Sequence, residues 1–190
     1  MKDLNYNMKL PKVDFNSADE RRKPVIEDVI EKNGRLPNMY AYMINSPGVL
    51  ETYLYGYERF RKESGFTPPE QEVIFLTISY ENECEYCMAA HSMIADHMSK
   101  VPAEVTDAIR EGRQIEDEKL RALSTFTRTM FITRGRPSAK DVELFLKAGY
   151  SERQILEIIL ALAVKIMSNY SNHLFDPEID AIFKSRKWTK

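Results

Sequence analysis

Apolar residues along this chain recur at the three- and four-residue spacing of helices, and alternating strand-like runs are almost absent. Residues 1–20 lack that periodicity and carry Pro11, so they read as an extended arm, suited to draping over a neighbouring subunit. Helical pattern follows. Helices are expected over Pro24–Lys32, closed by Asn33-Gly34, then over Asn38–Ile44, then from Pro47 to about Lys62 with Ser46 as N-cap. The third carries Leu50, Tyr53, Leu54, Tyr57 and Phe60, and Gly65 stops it. Thr67-Pro68-Pro69-Glu70 has the capping-box spacing, with proline at the first helical position. The helix it opens, through Val73-Ile74-Phe75-Leu76-Thr77-Ile78, is apolar nearly all round and belongs at the centre.

Asn82-Glu83-Cys84-Glu85 repeats the cap-and-acid spacing, so a new helix is expected there, running to about Met98 and stopped before Pro102. Further helices are expected at Ala103–Glu111, Asp117–Thr133, Ser138–Ala148 and Ser151–Asn172, the last a buried spine, with Pro177 starting a short terminal helix. No linker or repeat divides the chain, so residues 21–190 read as one all-α domain. Tyr53, Tyr55 and Tyr57 read as packing or subunit contact, and Arg59-Phe60-Arg61-Lys62-Glu63 as a solvated face.

Composition narrows the function. The 27 basic and 29 acidic side chains give a formal charge of −2, which offers no footprint for nucleic acid and no polybasic stretch for a membrane surface. No apolar run approaches the ~18 residues of a membrane span, and Met1-Lys2-Asp3-Leu4-Asn5 does not have the form of a signal peptide. The expected setting is the cytoplasm. In that reducing compartment two close cysteines point to catalysis or metal binding rather than to a staple.

Both cysteines and one of the three histidines fall within Cys84-Glu85-Tyr86-Cys87-Met88-Ala89-Ala90-His91. On a helix, residues three or four apart share a face, so Cys84, Cys87 and His91 form one chemical stripe. Two thiols one turn apart can close a disulfide, and an imidazole one turn further can take a proton from the nearer. If the helices flanking Tyr80–Glu83 fold back as an antiparallel hairpin, Glu72 and His91 each lie roughly 13 Å from the turn and face each other. Glu72–His91–Cys87 is then the order of a proton relay: the carboxylate orients the imidazole, which draws the proton from the thiol. A helix N-terminus and a protonated His91 favour the thiolate, while Glu83 and Glu85 oppose it. Cys87 is the expected attacker of a peroxide oxygen, and Cys84 the thiol that resolves the sulfenic acid to a disulfide.

These residues resemble a known family. Glu72, followed by Cys84-Glu85-Tyr86-Cys87 and His91, is similar in spacing to the AhpD-like alkyl hydroperoxidases of the carboxymuconolactone decarboxylase superfamily. Pro68-Pro69-Glu70-Gln71-Glu72-Val73-Ile74 resembles the family's acidic helix start, and Ala148-Gly149-Tyr150-Ser151-Glu152-Arg153-Gln154-Ile155-Leu156 its glycine turn and last core helix. Leu36-Pro37-Asn38-Met39-Tyr40 and Asn45-Ser46-Pro47 resemble the peroxidase-related members. The likeness spans residues 36–175 and is most specific at 68–98. It implies an all-α AhpD-like bundle whose central antiparallel hairpin carries the thiols, and a homo-oligomer with the thiol site near subunit contacts. It also implies Cys87 as peroxidatic and Cys84 as resolving cysteine, with Glu72 and His91 as relay. The expected partners are a small peroxide and an external dithiol reductant, a thioredoxin-like or lipoyl protein, with no bound cofactor or metal. Some hydroperoxidases carry a histidine immediately before the second cysteine, where this chain has Tyr86. The superfamily's lactone decarboxylases do not depend on a Cys-x-x-Cys pair, which turns the expectation away from decarboxylation.

Other readings weigh less. A dithiol used as a redox sensor or interaction switch needs the same activated pair. A zinc site would draw three ligands from one helix and a fourth from Glu72 or His173, an unusual arrangement for a structural site. Inert core thiols fit the spacing with Glu72 and His91 poorly. His97 lies off the stripe and is expected at the surface, while His173 suits a helix C-terminus.

Overall fold

A computed structural model describes residues 6–190. Among the described residues nine α-helices follow in order: α1 (Lys23–Asn33), α2 (Asn38–Met43), α3 (Pro47–Glu63), α4 (Pro68–Glu81), α5 (Glu85–Ile94), α6 (Ala103–Arg110), α7 (Glu118–Ile132), α8 (Ala139–Lys147) and α9 (Glu152–Phe175). A π-helical turn, Ala95–Ser99, extends α5, and a 3-10 helix, Ala181–Arg186, lies near the C-terminus. The described residues contain no strand. The terminal helix expected from Pro177 begins later, because the chain is extended to Asp180, which caps the 3-10 turn.

Helix α4 is the axis. Its ten residues Glu70–Ser79 are all buried, as its all-round apolar sequence requires. Thr67 and Glu70 form the expected capping box, with Thr67 N–H donating to Glu70 Oε2 at 2.8 Å. Helices α5, α6, α7 and α9 pack around it, and α3 and α2 close against α9. Gly56 lets α3 and α9 approach closely, since a Cβ there would meet Val164 Cγ2 at 3.0 Å. By length and composition α9 could cross a membrane, yet its inner side carries the buried Lys165, Ser168, Asn169 and Asn172. Its outer side leaves Leu156, Ile159, Ile166, Tyr170 and Leu174 exposed.

The described part of the N-terminal arm lies on its own chain. Met8 N–H donates to Leu174 O at 2.7 Å, Val13 N–H to Ala41 O at 2.9 Å, and Val13 is buried. Residues 1–5 of the arm lie outside the described residues. At the other end Trp188 packs on Tyr80 and donates from its indole nitrogen to Arg110 O at 2.7 Å. The C-terminal segment is thereby strapped across the α4–α5 hairpin.

Candidate functional site

The turn between α4 and α5 is three residues long. Asn82 ends α4, Glu83 takes a left-handed conformation (φ 55°), and Cys84 is the extended N-cap of α5. The expected helix therefore starts two residues late: Asn82 closes the first helix instead of capping the second. Cys84 is thus not on the helical stripe. It occupies the N-cap while Cys87 occupies the third helical position, the two places whose side chains meet in a capping box. The thiols remain neighbours for a different reason from the one inferred.

Both are reduced and buried, Cys84 at 1% and Cys87 at 2% exposure. Asn172 on α9 points its amide at them, with Nδ2 3.2 Å from Cys87 Sγ and 3.6 Å from Cys84 Sγ. Ser168, one turn earlier, places its hydroxyl 3.9 Å from Cys87 Sγ. Burial pushes Cys87 up, but the Cys84 hydrogen bond, then Lys165, His91 and Ser168, outweigh it and hold this thiol well below the ordinary range. Cys84 goes the other way, raised by burial and by the negative character of its neighbour. The two thiols are chemically unequal, and Cys87 is the acidic one.

The hairpin brings Glu72 and His91 face to face. His91 Nδ1 lies 2.8 Å from Glu72 Oε2, with Glu72 fully buried and His91 at 5% exposure. Since a carboxylate only accepts, Nδ1 carries the proton and Nε2 keeps its lone pair. The other carboxylate oxygen takes Arg61 at 2.5 Å and Ser99 Oγ at 3.5 Å. Burial alone would raise Glu72, but His91 and then Arg61 hold it below the usual carboxylate range. Burial lowers His91, Lys165 adds to that, and Glu72 only partly opposes it. The imidazole is therefore neutral near pH 7.

Arg61 is a second correction. It does not belong to a solvated face; its guanidinium stacks on Tyr57 and Phe75, each 4.8 Å away, and bonds Tyr57 Oη at 2.6 Å. Phe75 in turn packs on His91, 4.9 Å between ring centroids. Three further site residues escaped the sequence: Lys165, Ser168 and Asn172. Their only signal was a polar stripe at 165, 168, 169 and 172 within an otherwise apolar helix. His97 and His173 are exposed.

Tyr86 turns away from the thiols. Its hydroxyl donates to Asp180 Oδ2, and Asp180 also accepts from Arg35 at 2.8 Å and from Asn38 N–H at 3.3 Å. This latch fastens the C-terminal segment over α5. Surface cavities of about 400 Å³ beside Tyr80 and Arg128, and of about 360 Å³ beside Val25 and Leu54, include neither thiol in their linings. Among the described residues, no three His, Cys, Asp or Glu side chains gather in a metal-ligating group.

Comparison with known proteins bears on this geometry. Residues 47–129 match the model of the carboxymuconolactone decarboxylase family. No curated protein matches the sequence. Among solved structures, the chain resembles the alkylhydroperoxidase AhpD core of a peroxidase-related protein from Ralstonia eutropha JMP134: 21% identity, TM-score 0.78, covering 92% of this chain and 93% of that one. A peroxidase-related protein from Silicibacter sp. TM1040 is similar at 21% identity and TM-score 0.73, covering 96% and 98%. The debrominase Bmp8 in complex with 2,3,4-tribromopyrrole is similar at 19% identity and TM-score 0.76, covering 95% and 96%. At these identities the likeness establishes the fold.

Proposed function

From a chain whose residues 47–129 belong to the carboxymuconolactone decarboxylase family, and whose fold is that of the AhpD core, we propose a thiol-dependent peroxidase. The observation that carries this reading is the juxtaposition of two unequal thiols, with acidic Cys87 at the first turn of α5 and Cys84 at its cap. A thiolate is the nucleophile, and the helix N-terminus favours it further.

The chemistry balances on this chain's own groups. The Cys87 proton passes to His91 Nε2, and the thiolate attacks a peroxide oxygen. An S–O bond forms, the O–O bond breaks, and the leaving alkoxide takes the proton back from His91 as an alcohol. The Cys84 thiol then displaces hydroxide from the sulfenic acid as water, leaving a disulfide. An external dithiol, a thioredoxin-like or lipoyl protein of the cytoplasm, returns two electrons and two protons. Glu72 keeps the imidazole in the tautomer that accepts at Nε2, and Arg61 keeps Glu72 ionised.

The test is peroxide consumption with a panel of dithiol reductants, beside Cys84→Ser and Cys87→Ser. Catalytic turnover lost in both variants is expected, with a dimedone-trappable sulfenic acid at Cys87 in Cys84→Ser. One equivalent of peroxide consumed without turnover would make the pair a sensor instead. A brominated pyrrole belongs in the panel because the debrominase shares the fold; debromination without peroxide consumption would replace this reading.

A further inference from the structure

Lys165 is fully buried, and its Nζ has no hydrogen-bond partner among the described residues. It rests over the Phe75 ring, 5.6 Å from the centroid. Asn169 Nδ2, one turn along the same helix, is likewise without an acceptor, while its Oδ1 accepts from Asn82 Nδ2 at 2.8 Å. Ser168 and Asn172, three and seven residues beyond Lys165, are the groups that reach Cys87. Positions 165, 168, 169 and 172 share one face of α9, so the orphaned donors lie on the side that looks at the thiols. This face is rich in donors and poor in acceptors, which is the chemistry of a site for an anion.

The charges facing that side can be counted element by element. From α4 comes Glu72, already shared between Arg61 and His91. From α3 come Arg61, Tyr53 and Tyr57, and from α2 Tyr40, with the phenols kept neutral chiefly by burial. From α5 come His91, Cys84 and Cys87. Asp180, in the C-terminal segment, is spent on Arg35 and Tyr86. Arg61 and Glu72 cancel, so a cationic Lys165 stands alone unless one more anion is present. A buried charge without a partner is strongly disfavoured. Cys87 is the acidic group left to supply that anion.

We propose that Lys165 and Cys87 form a buried ammonium–thiolate pair, which stores the nucleophile ionised and makes Lys165 its counterion. The proton that Cys87 gives up when the pair forms passes by way of His91 Nε2 to solvent, and one proton returns by the same route to the leaving alkoxide during the reaction. Lys165 is therefore a positioning residue: it fixes the charge state of the thiol without touching substrate. The inference adds to the reading of Cys87 as the peroxide-reactive thiol, but its test uses no peroxide.

In a Cys84→Ser background, thiolate absorbance near 240 nm and the iodoacetamide rate at Cys87 are followed from pH 5 to 10. The unmodified Lys165 protein should show a thiolate persisting below pH 7. Lys165→Met should move the profile up by one pH unit or more, cutting the rate at pH 6.5 about tenfold and leaving it unchanged near pH 10. Lys165→Arg, which keeps the charge, should restore the low-pH thiolate. Coincident profiles for Lys165 and Lys165→Met would overturn the pair. If Lys165→Met fails to fold, the parent profile still decides: no thiolate absorbance below pH 8 overturns it. A low-pH thiolate in a protein that turns over no peroxide would sink the proposed function and leave the pair standing.

Discussion

Glu72 and His91, nineteen residues apart, meet through a 2.8 Å contact between Oε2 and Nδ1 in the interior of the helical hairpin. The three-residue loop between α4 and α5 sets the height of both side chains. If they act as one device, Glu72→Gln and His91→Ala should each lower peroxide turnover by ~100-fold or more, and the double variant should be little worse than either single. Additive losses would make Glu72 a structural carboxylate. Glu72→Gln should also cost about 3 kcal/mol of stability, because Arg61 loses its buried partner; a urea midpoint unchanged from the parent would contradict this.

The same pair makes stability pH-dependent. His91 is lowered from 6.5, so the unfolded chain takes up a proton first as pH falls. Its contribution is complete above pH 6.5 and is lost on acidification below it. Glu72 is lowered from 4.5, so its contribution is complete above pH 4.5 and is lost below. Both effects have one sign. The urea midpoint should fall between pH 7.5 and 5, and His91→Gln should flatten that first decline. A midpoint that rises on acidification would reverse the assignment.

Much of this site was legible because it depends on spacing. The distance from Glu72 to His91 follows from helical rise and one turn, and the nearness of Cys84 to Cys87 survives whether the first is in the helix or at its cap. Element bounds held within about three residues, apart from the terminal turn, where proline preceded an extended stretch. What stayed hidden depends on tertiary packing. Arg61 sits in a charged run, and only the fold turns it inward onto Phe75. Lys165 sits in an apolar run, and only the packing of α9 on α4 sets it over the Phe75 ring. Asn172 resembles a C-terminal polar residue until α9 continues past it to Phe175.

The Tyr86–Asp180–Arg35 latch holds the C-terminal segment over the dithiol. Asp180→Ala should cost about 2 kcal/mol by leaving the phenol and guanidinium unpaired. It should also raise the native-state alkylation rate of Cys87, because the cover loosens. Paired urea titrations and iodoacetamide rates check both; a protein equally stable and equally protected would show the latch to be idle.

Helix α9 presents Leu156, Ile159, Ile166, Tyr170 and Leu174 to solvent, spaced as one face of a helix. We expect this face to be covered by a second copy of the chain. Sedimentation should give a mass above the 22.1 kDa of one chain at micromolar concentration. Leu156→Glu with Tyr170→Glu should shift it to the monomer. A parent protein already monomeric would refute the expectation.

In the proposed pair, the charge of Lys165 would also set how readily the chain parts with its electrons. A pair of thiols stabilised by a fixed cation loses that stabilisation when it becomes a neutral disulfide. Oxidation then strands the cation in the core, so the disulfide is the strained partner of the couple and an oxidising one. Such a disulfide accepts electrons readily from an ordinary cellular dithiol, and the reduced chain is the form that waits. Replacing Lys165 with methionine would make the couple more reducing, leaving the protein easier to oxidise and slower to reset.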